Sequence, residues 1–123
     1  MAEWQNAQLV SASLVEDGWK SPDTYRNCFH PVCEDAAIYL FLLHNRETYS
    51  EAVVAYVGMS TNLGQRLSSH NILPLLHETG HWPMRWFKRA SETDLRDMER
   101  DYIKRFDPPW NIIGRTRGVL PNG

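Results

Sequence analysis

Glu99 sits where a carboxylate is out of place. Between Asp94 and Phe106, Leu95, Met98, Tyr102, Ile103 and Phe106 recur at the spacing of one helix face. Glu99 falls inside that stripe, four residues after Leu95 and four before Ile103, while Asp94, Asp97 and Asp101 point elsewhere. A carboxylate on a core face is costly unless it is paired or bound to a cation. Two chemistries meet that need: an ion pair with an arginine, or hard-oxygen ligation of a divalent ion. The ion pair is the plainer of the two, because structural networks also put charges in such places.

A second group of chemistry-bearing residues lies earlier in the chain. Arg66 and His70 are four apart, neighbours on one side of a helix whose core side is set by Leu63 and Leu67. Arg66 is a fixed cation with a planar fork suited to phosphate oxygens. Two apolar runs carry one tyrosine each, Tyr39 and Tyr56. A lone histidine is more often a packing residue, but Arg66, His70, Glu99, Tyr39 and Tyr56 together suit a phosphodiester. Cys28, His30 and Cys33 in NCFHPVC are soft ligands at close range, yet a fourth ligand at matching spacing is missing. Reduced, incidental thiols are the better reading.

Elements must hold these groups in place. Ala36–Leu43 (AAIYLFLL) reads as a strand buried on both faces, and Ala52–Gly58 (AVVAYVG) as its hairpin partner across the polar link HNRETYSE. Ser60 or Thr61 can cap a helix running to about residue 71. The stretch ILPLLHETG suits a helical turn or two. Residues 82–89 alternate and suggest a third strand. Ser91 or Thr93 opens the helix 94–106, which Pro108 and Pro109 terminate. Residues 1–35 show no clean periodicity and read as an irregular extension with at most one short element, packed on the body through Trp4 and Trp19. The expected fold is a small α/β sandwich of order β-β-α-α-β-α, a central three-stranded mixed sheet flanked by helices.

A chain of 123 residues, 42% hydrophobic and 23% charged, suits one globular domain. Its longest apolar run, Ala36 to Leu43, is far below the ~20 residues of a membrane span. The start MAEWQNAQ lacks a secretory layout, so the expectation is a cytoplasmic protein without membrane contact. The net charge of −2 argues neither for nor against a polyanionic partner. Its distribution is uneven: residues 1–35 hold six acids against Lys20 and Arg26, and from Met84 onward nine bases face six acids. That bias is consistent with phosphate contact, with Arg85, Trp86, Lys88, Arg89, Arg115 and Arg117 as candidates for touching substrate. Core packing or solvation is the plain alternative for each.

These residues, in this order, resemble the GIY-YIG nuclease family. Ala37-Ile38-Tyr39 stands where that family has its first tripeptide, and Tyr56-Val57-Gly58 where it has the second. Arg66 follows eight residues past Gly58 and His70 four further on, as in the family's helix signature. Glu99 takes the place of its single metal-binding glutamate, and Asn111 in DPPWN resembles its Pro-Pro-x-Asn ending. The resemblance covers about residues 36–112, leaving 1–35 as an extension and 113–123 as a basic tail. Ala37 replaces the first glycine, Val57 an isoleucine, and Met59 stands where many members carry a lysine. The link from Leu40 to Ala55 is long, implying an extended hairpin.

The resemblance implies a hydrolase that cuts phosphodiester bonds in DNA with one Mg²⁺ or Mn²⁺ ion per active site, held by Glu99. Arg66 would stabilise the transition state, Tyr56 or His70 would take the proton, and Tyr39 would orient the nucleophile. Asn111 would brace the strands, and Gly58 would lie at the substrate. A homodimer is compatible with it. The rival readings are a catalytically weak nucleic-acid-binding module on the same fold, and an interaction domain in which Glu99 and Arg66 form a salt bridge.

Overall fold

The computed structural model describes residues 3–20, 36–62 and 78–111. In chain order these form β1 (Gln5–Asn6), α1 (Ala7–Glu16), β2 (Ala37–His44), β3 (Glu51–Ser60), β4 (Trp82–Arg89) and α2 (Leu95–Phe106). The sheet is four-stranded, in the order β1-β3-β2-β4. It corrects the expected sheet in two respects. Every described pairing is antiparallel, not mixed, and β1 adds a fourth strand. Because β3 and β4 flank β2 on opposite sides, both can pair antiparallel with it while running parallel to each other.

β2 and β3 fall where the two apolar runs put them, and β4 where the alternation of residues 82–89 puts it. β2 is buried at every position from Ala37 to Leu43, as a strand covered on both faces must be. Alternation divides it: Ile38, Leu40 and Leu42 point one way, Tyr39, Phe41 and Leu43 the other. The first set joins Val54, Val57 and Trp86 in a core with Leu14 of α1 and Leu95 and Tyr102 of α2. Both helices therefore lie on this side, the helix face. Tyr39, Phe41, Tyr56 and Phe87 belong to the opposite, tyrosine face.

The α2 helix shows the period read from its sequence. Leu95 and Tyr102 are buried, Met98, Glu99, Ile103 and Phe106 are half-buried, and the charged residues between them are exposed. Asp107 ends it in the left-handed region at φ 47°, its N–H bonded to the Ile103 carbonyl, and Pro108 follows directly.

Residues 3–20 are more regular than expected. Asn6 caps α1, its side chain accepting the Leu9 N–H at 3.0 Å. Gly18, at φ +89°, supplies the left-handed turn that ends it. Gln5 and Asn6 pair with Ala52 and Glu51 of β3, while Lys20 pairs with Phe87 of β4. The segment thus straps the helix face from one side of the sheet to the other. No described helix is long and apolar enough to cross a membrane.

Candidate active site

The register of β2 against β3 builds the tyrosine face. Tyr39 lies opposite Gly58 and Phe41 opposite Tyr56, before a bulge shifts the pairing so that Leu42 meets Val54. The Tyr39 and Tyr56 rings stack with centroids 6.3 Å apart and planes inclined by 30°. Phe41 closes the group, 5.8 Å from Tyr39 edge-on and 6.0 Å from Tyr56. Such offset and edge contacts are the favoured aromatic geometries. Gly58 makes the arrangement possible: a Cβ there would lie 2.5 Å from both Cζ and Oη of Tyr39. Tyr39 is 1% exposed, so its ring has little room to yield. Phe41 was missed in the sequence, although its position two residues after Tyr39 puts it on the same face.

Asn111 secures this strand from the side. β1 covers β3 only at Glu51 and Ala52. Further along, the bulge leaves Ala55 without a counterpart on β2. Its carbonyl accepts the Trp110 N–H at 2.9 Å. The Asn111 amide then takes both backbone groups of Val57: its Oδ1 accepts the Val57 N–H at 2.8 Å, and its Nδ2 donates to the carbonyl at 2.6 Å. The side chain acts as a one-residue strand between Tyr56 and Gly58. Its amide is committed to the backbone.

β4 sorts the remaining candidates by parity. Arg85 lies opposite Phe41, Phe87 opposite Tyr39 and Arg89 opposite Ala37, all on the tyrosine face. The Arg89 guanidinium lies 5.5 Å from the Phe87 ring centre. Trp86 and Lys88 point the other way. Trp86 is 5% exposed and packs in the core. The Lys88 ammonium donates to the Asp17 carbonyl at 2.6 Å and to the Tyr102 hydroxyl at 3.2 Å. Burial alone would lower the Lys88 pKa, but Tyr102 and Asp17 outweigh it and hold it above its usual value.

Glu99 rides on α2, on the helix side of the sheet. No described contact joins it to Tyr39 or Tyr56. Burial pushes its pKa up, and Arg96 pulls weakly the other way. Among the described residues no hydrogen bond or ion pair engages it. Nor do any three His, Cys, Asp or Glu side chains gather among them. A single half-buried carboxylate fits Mg²⁺ or Mn²⁺ held by one protein oxygen with water and phosphate completing its shell, not an all-protein cage. Arg66, His70, Cys28, His30, Cys33, Arg115 and Arg117 lie outside the described residues.

A small antiparallel α/β domain with stacked tyrosines over a glycine is the class these elements define. The chain is 32% identical over 107 residues to the UvrABC system protein C of Corynebacterium aurimucosum, a match covering 81% of this chain. Identity is 33% to the protein of the same name from Corynebacterium diphtheriae and 30% to that from Corynebacterium glutamicum. The chain spans about 15% of the length of these relatives. No family model matches the sequence. No solved structure matches it either.

Proposed function

We propose that this chain is a DNA nuclease domain that hydrolyses phosphodiester bonds with the help of one Mg²⁺ or Mn²⁺ ion. The observation that carries the reading is the packing of Tyr39 and Tyr56 around Gly58, residues of the two tripeptides AIY and YVG. The resemblance of those tripeptides, Arg66, His70, Glu99 and PPWN to the GIY-YIG family supplies the chemistry. The likeness to UvrABC system protein C supports action on DNA.

Glu99 would hold the ion, which when bound would supply charge neutralisation at the scissile phosphate. By the same resemblance, Arg66 supplies the fixed cation that would stabilise the charge developing on the phosphate in the transition state. Tyr56 accepts the proton of the attacking water, and Tyr39, stacked beside it, keeps that water in line. A free phenol titrates near 10, about three units too high for a base at neutral pH, so Arg66 must favour the phenolate or His70 must take the proton. Asn111 contributes by fixing the backbone next to Tyr56 and Gly58.

The test is incubation of the purified chain with supercoiled plasmid, a single-stranded circle and RNA, with Mg²⁺ or with a chelator. Plasmid or circle cut only with the metal is the expected result. Binding without cutting moves the reading to a nucleic-acid-binding module, and neither binding nor cutting overturns both.

A further inference from the structure

The end of the N-terminal strap closes a polar knot against α2, three residues beyond Glu99. The Asp17 carboxylate accepts the Trp19 indole N–H at 3.2 Å and a hydrogen bond from the Tyr102 hydroxyl. Lys88 stands 3.4 Å from its other oxygen, and Arg105 approaches within 3.7 Å. The Trp19 ring meets Tyr102 edge-on, centroids 5.1 Å apart. The apolar contacts of α2 are non-directional and tolerate small rotations about its axis, whereas hydrogen bonds at Tyr102 fix an angle.

We infer that Asp17 is a positioning residue for Glu99: by gripping Tyr102 and Arg105, the strap sets the rotation of α2 and so the place of the carboxylate. Tyr102 follows Glu99 by three residues, making the two neighbours on the helix surface. Helical side chains extend roughly 5–6 Å from the axis, so turning α2 by about 15° moves the carboxylate about 1.5 Å. Metal and catalytic groups tolerate only about 0.5 Å. A segment outside the catalytic resemblance thereby becomes part of the metal site. This inference rests on the nuclease reading and on the role of Glu99 in it.

The full chain and Asp17→Asn are compared in three measurements. These are Mn²⁺ binding by the free-ion electron paramagnetic resonance signal, single-turnover plasmid cleavage against Mg²⁺, and far-ultraviolet circular dichroism. The asparagine keeps the shape and loses the charge. The expected result is an unchanged spectrum, Mn²⁺ affinity lower by ~10-fold, a cleavage rate at saturating DNA lower by ~10-fold or more, and a KM for DNA within about twofold. If Asp17→Asn does not fold, Tyr102→Phe removes one hydroxyl from the same knot, and the same shifts are expected.

A folded variant with wild-type Mn²⁺ affinity overturns the inference, whatever its cleavage rate. A wild-type chain that neither binds Mn²⁺ nor cuts overturns the nuclease reading and the inference together. Wild-type activity with indifferent variants overturns the inference alone.

Discussion

The two faces of the sheet are made by alternate residues of the same three strands, and both are well buried. Ile38, Leu40, Leu42 and Trp86 look toward the helices; Tyr39, Phe41, Tyr56 and Phe87 look away from them. On the helix face the polar groups near the core are largely consumed in holding elements together. Asp17, Lys88 and Tyr102 satisfy one another, and burial, which would raise the Asp17 pKa, is outweighed so that it falls below its usual value. On the tyrosine face, ring stacking and a missing side chain at Gly58 fix the geometry instead. An aliphatic core needs no pair of phenols, and a glycine held open for one of them is a specification of position. Burial does not tell the faces apart, but side-chain chemistry does.

Glu99 is the exception on the helix side, and neutralising it gives the largest expected effect. Glu99→Gln is expected to abolish metal-dependent cleavage, with a loss of at least ~10³-fold. Burial holds the Glu99 pKa above 4.5, so the folded chain binds its proton more tightly than the unfolded chain does. The ionised carboxylate therefore lowers stability at neutral pH, and that deficit is relieved as pH falls through the raised pKa. The variant should match or exceed wild-type stability at neutral pH, the gap closing toward acid. Urea midpoints across pH, alongside single-turnover cleavage, check both halves. Full activity in the variant would return Glu99 to a purely structural role.

Next in size is a pair of changes, one for each face. Gly58→Ala puts a Cβ against the buried Tyr39 ring and should cut the cleavage rate by ~10²-fold, with about 1–3 kcal/mol of lost stability. Leu42→Ala, on the helix face at 0% exposure, should cost about 2–5 kcal/mol yet leave the rate per folded molecule within a few fold. Denaturation curves set beside rates corrected for the folded fraction separate the two. Equal behaviour of the variants would break the distinction between the faces.

The strands and α2 were legible because their signals are long: an eight-residue apolar run, a period of two in β4 and a period of 3.6 in α2. α1 was not, because only Ala7 and Leu14 of its ten residues are buried, while Leu9 and Val15 face outward. β1 has two residues, too few for any pattern to show. The alternation of β4 separates Arg85, Phe87 and Arg89 from Trp86 and Lys88. Which set meets the helices depends on tertiary packing, which alternation does not encode. The contact of Tyr39 with Gly58 depends on register, and a bulge alters that register three residues from Tyr39.

Asn111→Ala tests whether the edge of β3 supports the tyrosine face. It removes both side-chain hydrogen bonds to Val57, leaving an N–H and a carbonyl without them. The expected cost is about 1–3 kcal/mol of stability and ~10-fold in cleavage, with DNA affinity nearly unchanged. Asn111→Asp keeps one acceptor for the Val57 N–H but sets a carboxylate against the carbonyl, and should recover little. A normal rate in a stably folded Asn111→Ala would make the brace irrelevant to chemistry.

The smallest effect belongs to the hairpin end of the sheet, away from Tyr39 and Gly58. The His81 Nδ1 accepts the Arg46 N–H at 3.0 Å, and its ring meets Trp4 edge-on at 5.1 Å. Burial, helped by the charge of Arg46 and opposed by Glu47, holds its pKa below 6.5. His44 is shifted the same way by burial, offset in part by the Tyr49 backbone. A histidine whose folded pKa is depressed binds its proton more readily when unfolded. Its stabilising contribution is present above 6.5 and is lost as pH falls through the lower folded value. Acidification across that window should lower the thermal midpoint through His81. His44 shifts in the same direction, so the comparison is with His81→Gln, whose pH dependence should be flatter. The tyrosine face should not respond: the rate per folded molecule should follow the same pH curve in His81→Gln as in wild type. A divergence between those curves would show that the two ends of β2 are coupled, and that the hairpin end helps to hold Tyr39.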